Sequence, residues 1–208
     1  IKNIIKQSQS DKFKIGYKFG LEFMNSNKGR NFVSKLKNKI IFVDLKLNDT
    51  VNTMMSAVKA LKDLKINYLT VHISSGLTAL KAVKKISGST KIIGVTTLTS
   101  LDNQDLKLIG YNKSVKSLVS HQAKLAKKAA LDALVCSPYE VSTVRKIFKK
   151  EIITPGIRFD AKINDQKRVM SPSKAFEEGS DWIVIGRPIT KGNIRTNIQK
   201  LISHLNHD

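Results

Sequence analysis

Short runs of β-branched and apolar residues alternate along this chain with longer stretches whose apolar positions recur every three or four residues. The short runs predict strands at 13–19, 40–45, 68–72, 91–96, 133–136, 152–154 and 182–185. The longer stretches predict helices at 1–9, 29–37, 52–64, 77–86, 115–130, 139–148, 172–179 and 193–205. The stripe in 52–64 is Met54, Met55, Val58, Leu61 and Leu64, and that in 115–130 is Leu118, Val119, Ala123 and Ala126. Strict alternation of this kind builds a parallel sheet with helical crossovers. Strands that are apolar on both faces fit a sheet covered on both sides. A helix leads, with no strand before it. The expected architecture is therefore an α/β fold, a (β/α)8 TIM barrel whose first strand is missing from the given sequence. An open doubly wound sheet is the alternative. No linker or low-complexity segment divides residues 1–208, which predicts a single barrel domain, incomplete at its amino end.

One strand breaks the pattern. Ile40 to Val43 is continuously apolar, and charge then appears where burial should continue, at Asp44 and Lys46. Two residues apart on a regular strand, their side chains leave the same face, roughly 6–7 Å apart along it. Burying an acid and a base at a strand end costs free energy unless they pair or do chemistry. Asp49 follows in the loop, and Asn52-Thr53 can open the next helix.

Composition narrows the function classes. The chain has 208 residues with 41% hydrophobic and 6% aromatic content, an ordinary globular profile. The single cysteine, Cys136, rules out an internal disulfide and fits a reducing compartment, so a cytoplasmic location is expected. No apolar run approaches the ~20 residues of a membrane span, and Lys2 and Lys6 interrupt any signal-like core at the start. The net charge of +21 raises a nucleic-acid or anionic-membrane partner. The lysines, however, are spread over separate helices, as at Lys59, Lys62 and Lys65 or Lys124, Lys127 and Lys128, without interleaved aromatics. That distribution predicts a lysine-rich surface with neither a nucleic-acid nor a membrane partner.

In a barrel, chemistry gathers at the carboxyl ends of strands. Those positions hold Lys14 or Lys18, then Asp44, Lys46 and Asp49, then His72, Thr99, Arg158 and Arg187. The four histidines, His72, His121, His204 and His207, are scattered, so no metal site is demanded. His72 reads as a hydrogen-bonded strand-end residue. Thr154-Pro155-Gly156-Ile157-Arg158 opens the longest loop, which carries Asp165-Gln166-Lys167-Arg168 and could close over an anion. Val184-Ile185-Gly186-Arg187-Pro188 follows the last strand. There Gly186 would let the backbone approach a phosphate, and Arg187 could grip its oxygens bidentately.

These segments together resemble the orotidine 5'-phosphate decarboxylase family, in its bacterial branch. The resemblance rests on Asp44-Leu45-Lys46-Leu47-Asn48-Asp49 with Asn52-Thr53, and on Val95-Thr96-Thr97-Leu98-Thr99-Ser100. It rests further on Leu134-Val135-Cys136-Ser137-Pro138, Thr154-Pro155-Gly156-Ile157-Arg158, Asp165-Gln166-Lys167-Arg168-Val169 and Val184-Ile185-Gly186-Arg187-Pro188-Ile189-Thr190. The segments stand in the family's order and cover nearly the whole chain. The resemblance implies cofactor-independent decarboxylation of orotidine 5'-phosphate to uridine 5'-phosphate, the last step of de novo pyrimidine synthesis. It implies that Lys46 protonates C6 as carbon dioxide leaves, with Asp44 beside the departing carboxylate. Asp49, with Thr53, would reach the neighbour's site in a homodimer, and Asn52 belongs to the same segment. Thr99 would contact the pyrimidine. Arg158, Gln166 and Arg187, with the Gly186 backbone, would hold the phosphate. A further lysine completes a Lys-Asp-Lys-Asp array, and both Lys18 and Lys14 fit it by spacing.

The physical logic is independent of the resemblance. Decarboxylation at a vinylic carbon leaves an unstabilised carbanion, and no cofactor motif is present to delocalise it. Placed charges must then do the work: an acid beside the substrate carboxylate, and an ammonium that stabilises and protonates the carbon. Two other readings remain at this point. One is a Mg²⁺-dependent sugar-phosphate decarboxylase of the same superfamily, which would need an acidic metal ligand at another strand end. The other is a non-catalytic basic barrel that binds nucleic acid.

Overall fold

A computed structural model of the chain describes residues 1–159 and 169–206. In chain order the elements are α1 (Lys2–Gln7), β1 (Gly16–Gly20), α2 (Leu21–Met24), α3 (Gly29–Ser34), β2 (Ile40–Leu47), α4 (Val51–Ala60), β3 (Tyr68–His72), α5 (Gly76–Ile86) and β4 (Lys91–Val95). There follow α6 (Asn103–Leu108), α7 (Val115–Lys128), β5 (Ala133–Val135), α8 (Val141–Ile147), β6 (Glu151–Thr154), α9 (Pro172–Glu177), β7 (Trp182–Ile183), α10 (Arg187–Thr190) and α11 (Ile194–Asn206). The architecture is α/β. The strands are hydrogen-bonded in chain order, and the pairs β1–β2, β2–β3, β3–β4 and β6–β7 are parallel.

Every strand and long helix expected from the pattern is present, though β7 is only two residues long, β2 runs on to Leu47 and α4 ends at Ala60. The first strand starts at Gly16, so Lys14 precedes it. The polar stretch after β4 contains α6, a helix its few apolar positions hide. It is fixed by a capping box in which Asp102 accepts from the Gln104 and Asp105 amides while Asp105 accepts from the Asp102 amide. Two four-residue helices, α2 and α10, are too short to show a period.

Close contacts divide the chain into two compact units. The first comprises Gly16–Thr96 and Lys124–Leu134. Its core holds Val43, Val71, Ile92 and Ile93 from the strands and Met54, Val58, Leu80 and Val83 from α4 and α5, all at most 3% exposed. Each such side chain contributes about 1.5–3 kcal/mol on burial. Gly94 in β4 leaves room for this packing: a Cβ there would lie 2.8 Å from Leu131 and 3.0 Å from Ile73. Beyond β1, Phe19, Phe23 and Phe32 form a ring cluster with centroids 5.2–6.2 Å apart, which holds α2 and α3 against the strand.

The second unit comprises Ile1–Ile15, Thr97–Ala123 and the chain from Val135 onward. Ile189 of α10 packs with Ile194, Ile198 and Leu201 of α11, and Ile4 of α1 lies against them.

One device recurs in both units. The residue just before a strand bonds, through its side chain, the second residue of the preceding strand. Asn67 Oδ1 accepts from the Ile41 amide at 2.8 Å. Asp132 Oδ2 accepts from the Ile92 amide at 2.8 Å and from Lys84 Nζ at 2.7 Å. Asp181 Oδ2 accepts from the Ile152 amide at 2.7 Å and pairs with Arg145. These clamps sit at the amino ends of the strands. The polar groups at the carboxyl ends are left for other work.

Candidate active site

Strand β1 carries a lysine flanked on its own face by two glycines. Tyr17 and Phe19 point into the core, while Gly16, Lys18 and Gly20 alternate with them. The Lys18 side chain therefore has a clear path across to β2, where Gly20 stands opposite Asp44. Lys18 Nζ donates to Asp44 Oδ2 at 2.8 Å. Of the two lysines that spacing left open, Lys18 is the one bonded to Asp44.

Asp44 is 7% exposed. Its other oxygen, Oδ1, accepts from Lys46 Nζ at 2.9 Å and from Thr70 Oγ1 at 3.0 Å. Burial by itself would raise the Asp44 carboxyl, but the charge and hydrogen bond of Lys18, joined by those of Lys46, outweigh it and hold the group below its ordinary value. The site thus contains a fixed anion between two ammoniums, each about a third exposed at 35% of its side chain.

The placement of Lys46 differs from the sequence expectation. β2 does not run regularly through the Asp44–Lys46 pair. Val43 faces Leu69 on β3, but Leu47 faces Val71, so three residues of β2 stand opposite Thr70 alone. At this bulge Lys46 adopts a left-handed backbone, φ 49°, a conformation rare for any residue with a Cβ. The pair meets because of the bulge, and strand alternation does not account for it.

His72 ends β3, half-buried. Burial pushes its imidazole below the ordinary value, and Lys46 adds to the shift while Asp44 opposes it. Cys136 is buried after β5, and burial, with Glu140 adding, raises its thiol far above the ordinary value, so it supplies no thiolate. Among the described residues no group of three or more His, Cys, Asp or Glu is placed to hold a metal ion.

Asp49 lies in the loop that leads into α4, exposed. Its Oδ1 accepts from the Thr50 amide at 2.6 Å. That bond, with a further one from Thr53, lowers its carboxyl below the ordinary value. Asn52 and Thr53 are exposed on the first turn of α4, and Thr53 Oγ1 lies 3.0 Å from Thr50 Oγ1. Of the four groups of the expected array, Lys18, Asp44 and Lys46 are in contact, and Asp49 is bonded locally.

In the second unit, Thr99 is partly exposed in the turn after β4. Arg158 is 6% exposed, and its Nη1 donates to the Ile157 carbonyl at 2.9 Å. Its amide bonds Met170 O at 3.1 Å, which ties the two described ends of the long loop together. Gln166 lies outside the described residues. Gly186 precedes α10, and a Cβ there would meet nothing within 4 Å. Arg187 opens α10 and is exposed.

Thr70 was not among the residues singled out from the sequence. The signal was a hydroxyl in the otherwise apolar run Tyr68-Leu69-Thr70-Val71, two residues before His72. No sequence feature marks the left-handed Lys46, since neither Gly nor Asn stands there.

The family described as "Orotidine 5'-phosphate decarboxylase / HUMPS family" matches residues 7–199. The chain is 46% identical over 191 residues to the orotidine 5'-phosphate decarboxylase of Wolbachia sp. subsp. Brugia malayi (strain TRS), covering 89% of this chain and 84% of that protein. It is 46% identical over 155 residues to the enzyme of the same name from Ehrlichia chaffeensis, covering 72% and 67%. The crystal structure of orotidine 5'-phosphate decarboxylase from Lactobacillus acidophilus superposes with a TM-score of 0.83 at 31% identity, over 99% of this chain and 93% of that one. With a buried carboxylate set between two lysines at a strand end, and with likeness of this extent in sequence and fold, the chain belongs to the orotidine 5'-phosphate decarboxylase / HUMPS family.

Proposed function

We propose that this chain converts orotidine 5'-phosphate to uridine 5'-phosphate and carbon dioxide, without a cofactor, by charge placement. The observation that carries the reading is Asp44, buried and held ionised between Lys18 and Lys46. The names of its relatives at 46% identity support the substrate. Asp44 lies beside the substrate carboxylate and disfavours the bound anion. The bond from C6 to the carboxylate breaks, carbon dioxide leaves, and the electron pair stays on C6. The Lys46 ammonium stabilises that pair and gives C6 its proton, and Lys46 then takes a proton from water. Lys18 holds Asp44 and contacts the substrate.

Thr99 meets the pyrimidine, and Arg158, Gln166, Arg187 and the Gly186 backbone hold the phosphate. Phosphate binding supplies energy that is spent at the reacting carbon. Asp49, Asn52 and Thr53 complete the site of a second copy in a homodimer, a reading supported by their exposure on one copy. The fold is a TIM-type barrel, a reading supported by the strand order and by the Lactobacillus likeness. We assign the protein to the cytoplasm; no described helix is long and apolar enough to cross a membrane.

The test is loss of orotidine 5'-phosphate absorbance with the purified full-length protein, with and without chelator. Turnover unchanged by EDTA is expected. Activity lost with EDTA and restored by Mg²⁺, or no turnover at all, would overturn the reading.

Arg187→Ala tests the phosphate grip. A charge-assisted hydrogen bond is worth about 1.5–3 kcal/mol, so KM for orotidine 5'-phosphate should rise by about 10–100-fold. Turnover of the phosphate-free nucleoside should be unchanged. Equal losses on both substrates would remove Arg187 from this role.

A further inference from the structure

The geometry points to Thr70 as the positioning residue of this site: its hydroxyl builds the bulge that brings Lys46 to Asp44. The inference rests on the decarboxylase reading for its kinetic readout, but not for its structural one.

At the bulge, Lys46 has lost its ladder partner, because Leu69 pairs with Val43 and Val71 with Leu47. An amide in the middle of a sheet needs an acceptor. Thr70 Oγ1 supplies it, accepting from the Lys46 amide at 2.8 Å. The same oxygen lies 3.0 Å from Asp44 Oδ1. An ionised carboxylate only accepts and an amide only donates, so both bonds of the hydroxyl are fixed in direction. Thr70 is fully buried, at 0% exposure.

One side chain therefore holds both halves of the pair. It fixes the backbone of Lys46 in its left-handed conformation, φ 49°, and it fixes the rotation of the Asp44 carboxylate that receives Lys46 Nζ on the same Oδ1. Removing the hydroxyl leaves the amide unsatisfied. The cheapest repair is to let β2 return to regular pairing with β3, which turns Lys46 out of line. Misplacement of a reacting group by about 1 Å can cost about 100-fold in rate. Thr70 touches neither the reacting carbon nor the proton in this account; it acts through Lys46 and Asp44.

Thr70→Val keeps the shape and removes the hydroxyl, and Thr70→Ser keeps the hydroxyl and removes the methyl. Two readouts apply to the full-length protein: steady-state kinetics on orotidine 5'-phosphate, and hydrogen exchange of the Lys46 amide followed by NMR. In Thr70→Val, kcat should fall by about 100-fold with KM within about threefold of wild type, and the Lys46 amide should exchange at least about tenfold faster. Thr70→Ser should restore both. Wild-type kcat with a protected Lys46 amide in Thr70→Val would overturn the inference. So would a Thr70→Ser protein as slow as Thr70→Val, which would assign the effect to the methyl group. If Thr70→Val does not fold, Thr70→Ser decides alone: wild-type kcat and protection support the inference, and loss of either overturns it. If the wild type fails to turn over orotidine 5'-phosphate, the decarboxylase reading falls, and the Lys46 amide still tests Thr70.

Discussion

Lys46→Ala should abolish decarboxylation while the protein remains folded. In the proposed reaction Lys46 both stabilises charge on C6 and delivers its proton. The first effect is commonly worth about 10²–10³ in rate and the second about 10²–10⁴. Because one group supplies both, kcat should fall by at least about 10⁴-fold. The fold should survive for two reasons visible at the bulge. Asp44 keeps Lys18 at 2.8 Å and Thr70 at 3.0 Å, so the buried carboxylate is not left bare. Alanine also carries a Cβ, so the left-handed backbone at this position is no more strained than with lysine. The measurement is orotidine 5'-phosphate absorbance in single-turnover mode, with circular dichroism and Tm as fold controls. Turnover within about tenfold of wild type would exclude Lys46 as proton donor, since no general acid is worth so little.

The part of this site legible in the sequence was the part carried by composition at strand ends. Asp44 and Lys46 stood out because charge interrupted an apolar run, and the structure brings them into contact. The reason given for the contact was a regular strand, and the bulge replaces it. Backbone irregularity of this kind depends on what the neighbouring strand offers, here Thr70, and a local pattern cannot carry that information. The choice between Lys14 and Lys18 failed for a related reason. Phe13, Ile15, Tyr17 and Phe19 alternate evenly, and only pairing with β2, which begins at Gly16 opposite Ile40, starts the strand after Lys14 and leaves that lysine outside it. α6 was missed because its stability lies in a reciprocal Asp102–Asp105 cap more than in an apolar stripe. By contrast, the strands 68–72 and 91–95 were legible to within a residue, because burial on both faces makes them continuously apolar between polar boundaries.

Asp44→Asn is the second change expected to be severe, and it separates charge from shape. The carboxylate receives three donors, Lys18 Nζ, Lys46 Nζ and Thr70 Oγ1. An amide of the same size offers one accepting oxygen, and its NH₂ must then face a donor. Lys46 loses the anion that aims it, and the substrate carboxylate loses the charge set beside it, so kcat should fall by at least about 10³-fold. Stability should fall by only about 1–2 kcal/mol, because both lysines keep access to water and the full cost of an unpaired buried charge is not incurred. The stability loss has a pH signature with a fixed sign. The folded carboxyl lies below the ordinary aspartate value, which the unfolded chain keeps. Its contribution is therefore fully present above that value and is lost as pH falls through the lower, folded value. The Tm gap between wild type and Asp44→Asn should be constant from about pH 7 to pH 5 and should narrow progressively as pH falls below about 4. A gap that does not change down to about pH 3 would show that Asp44 is not held ionised by its lysines. Turnover by Asp44→Asn close to wild type would remove the carboxylate from the reaction.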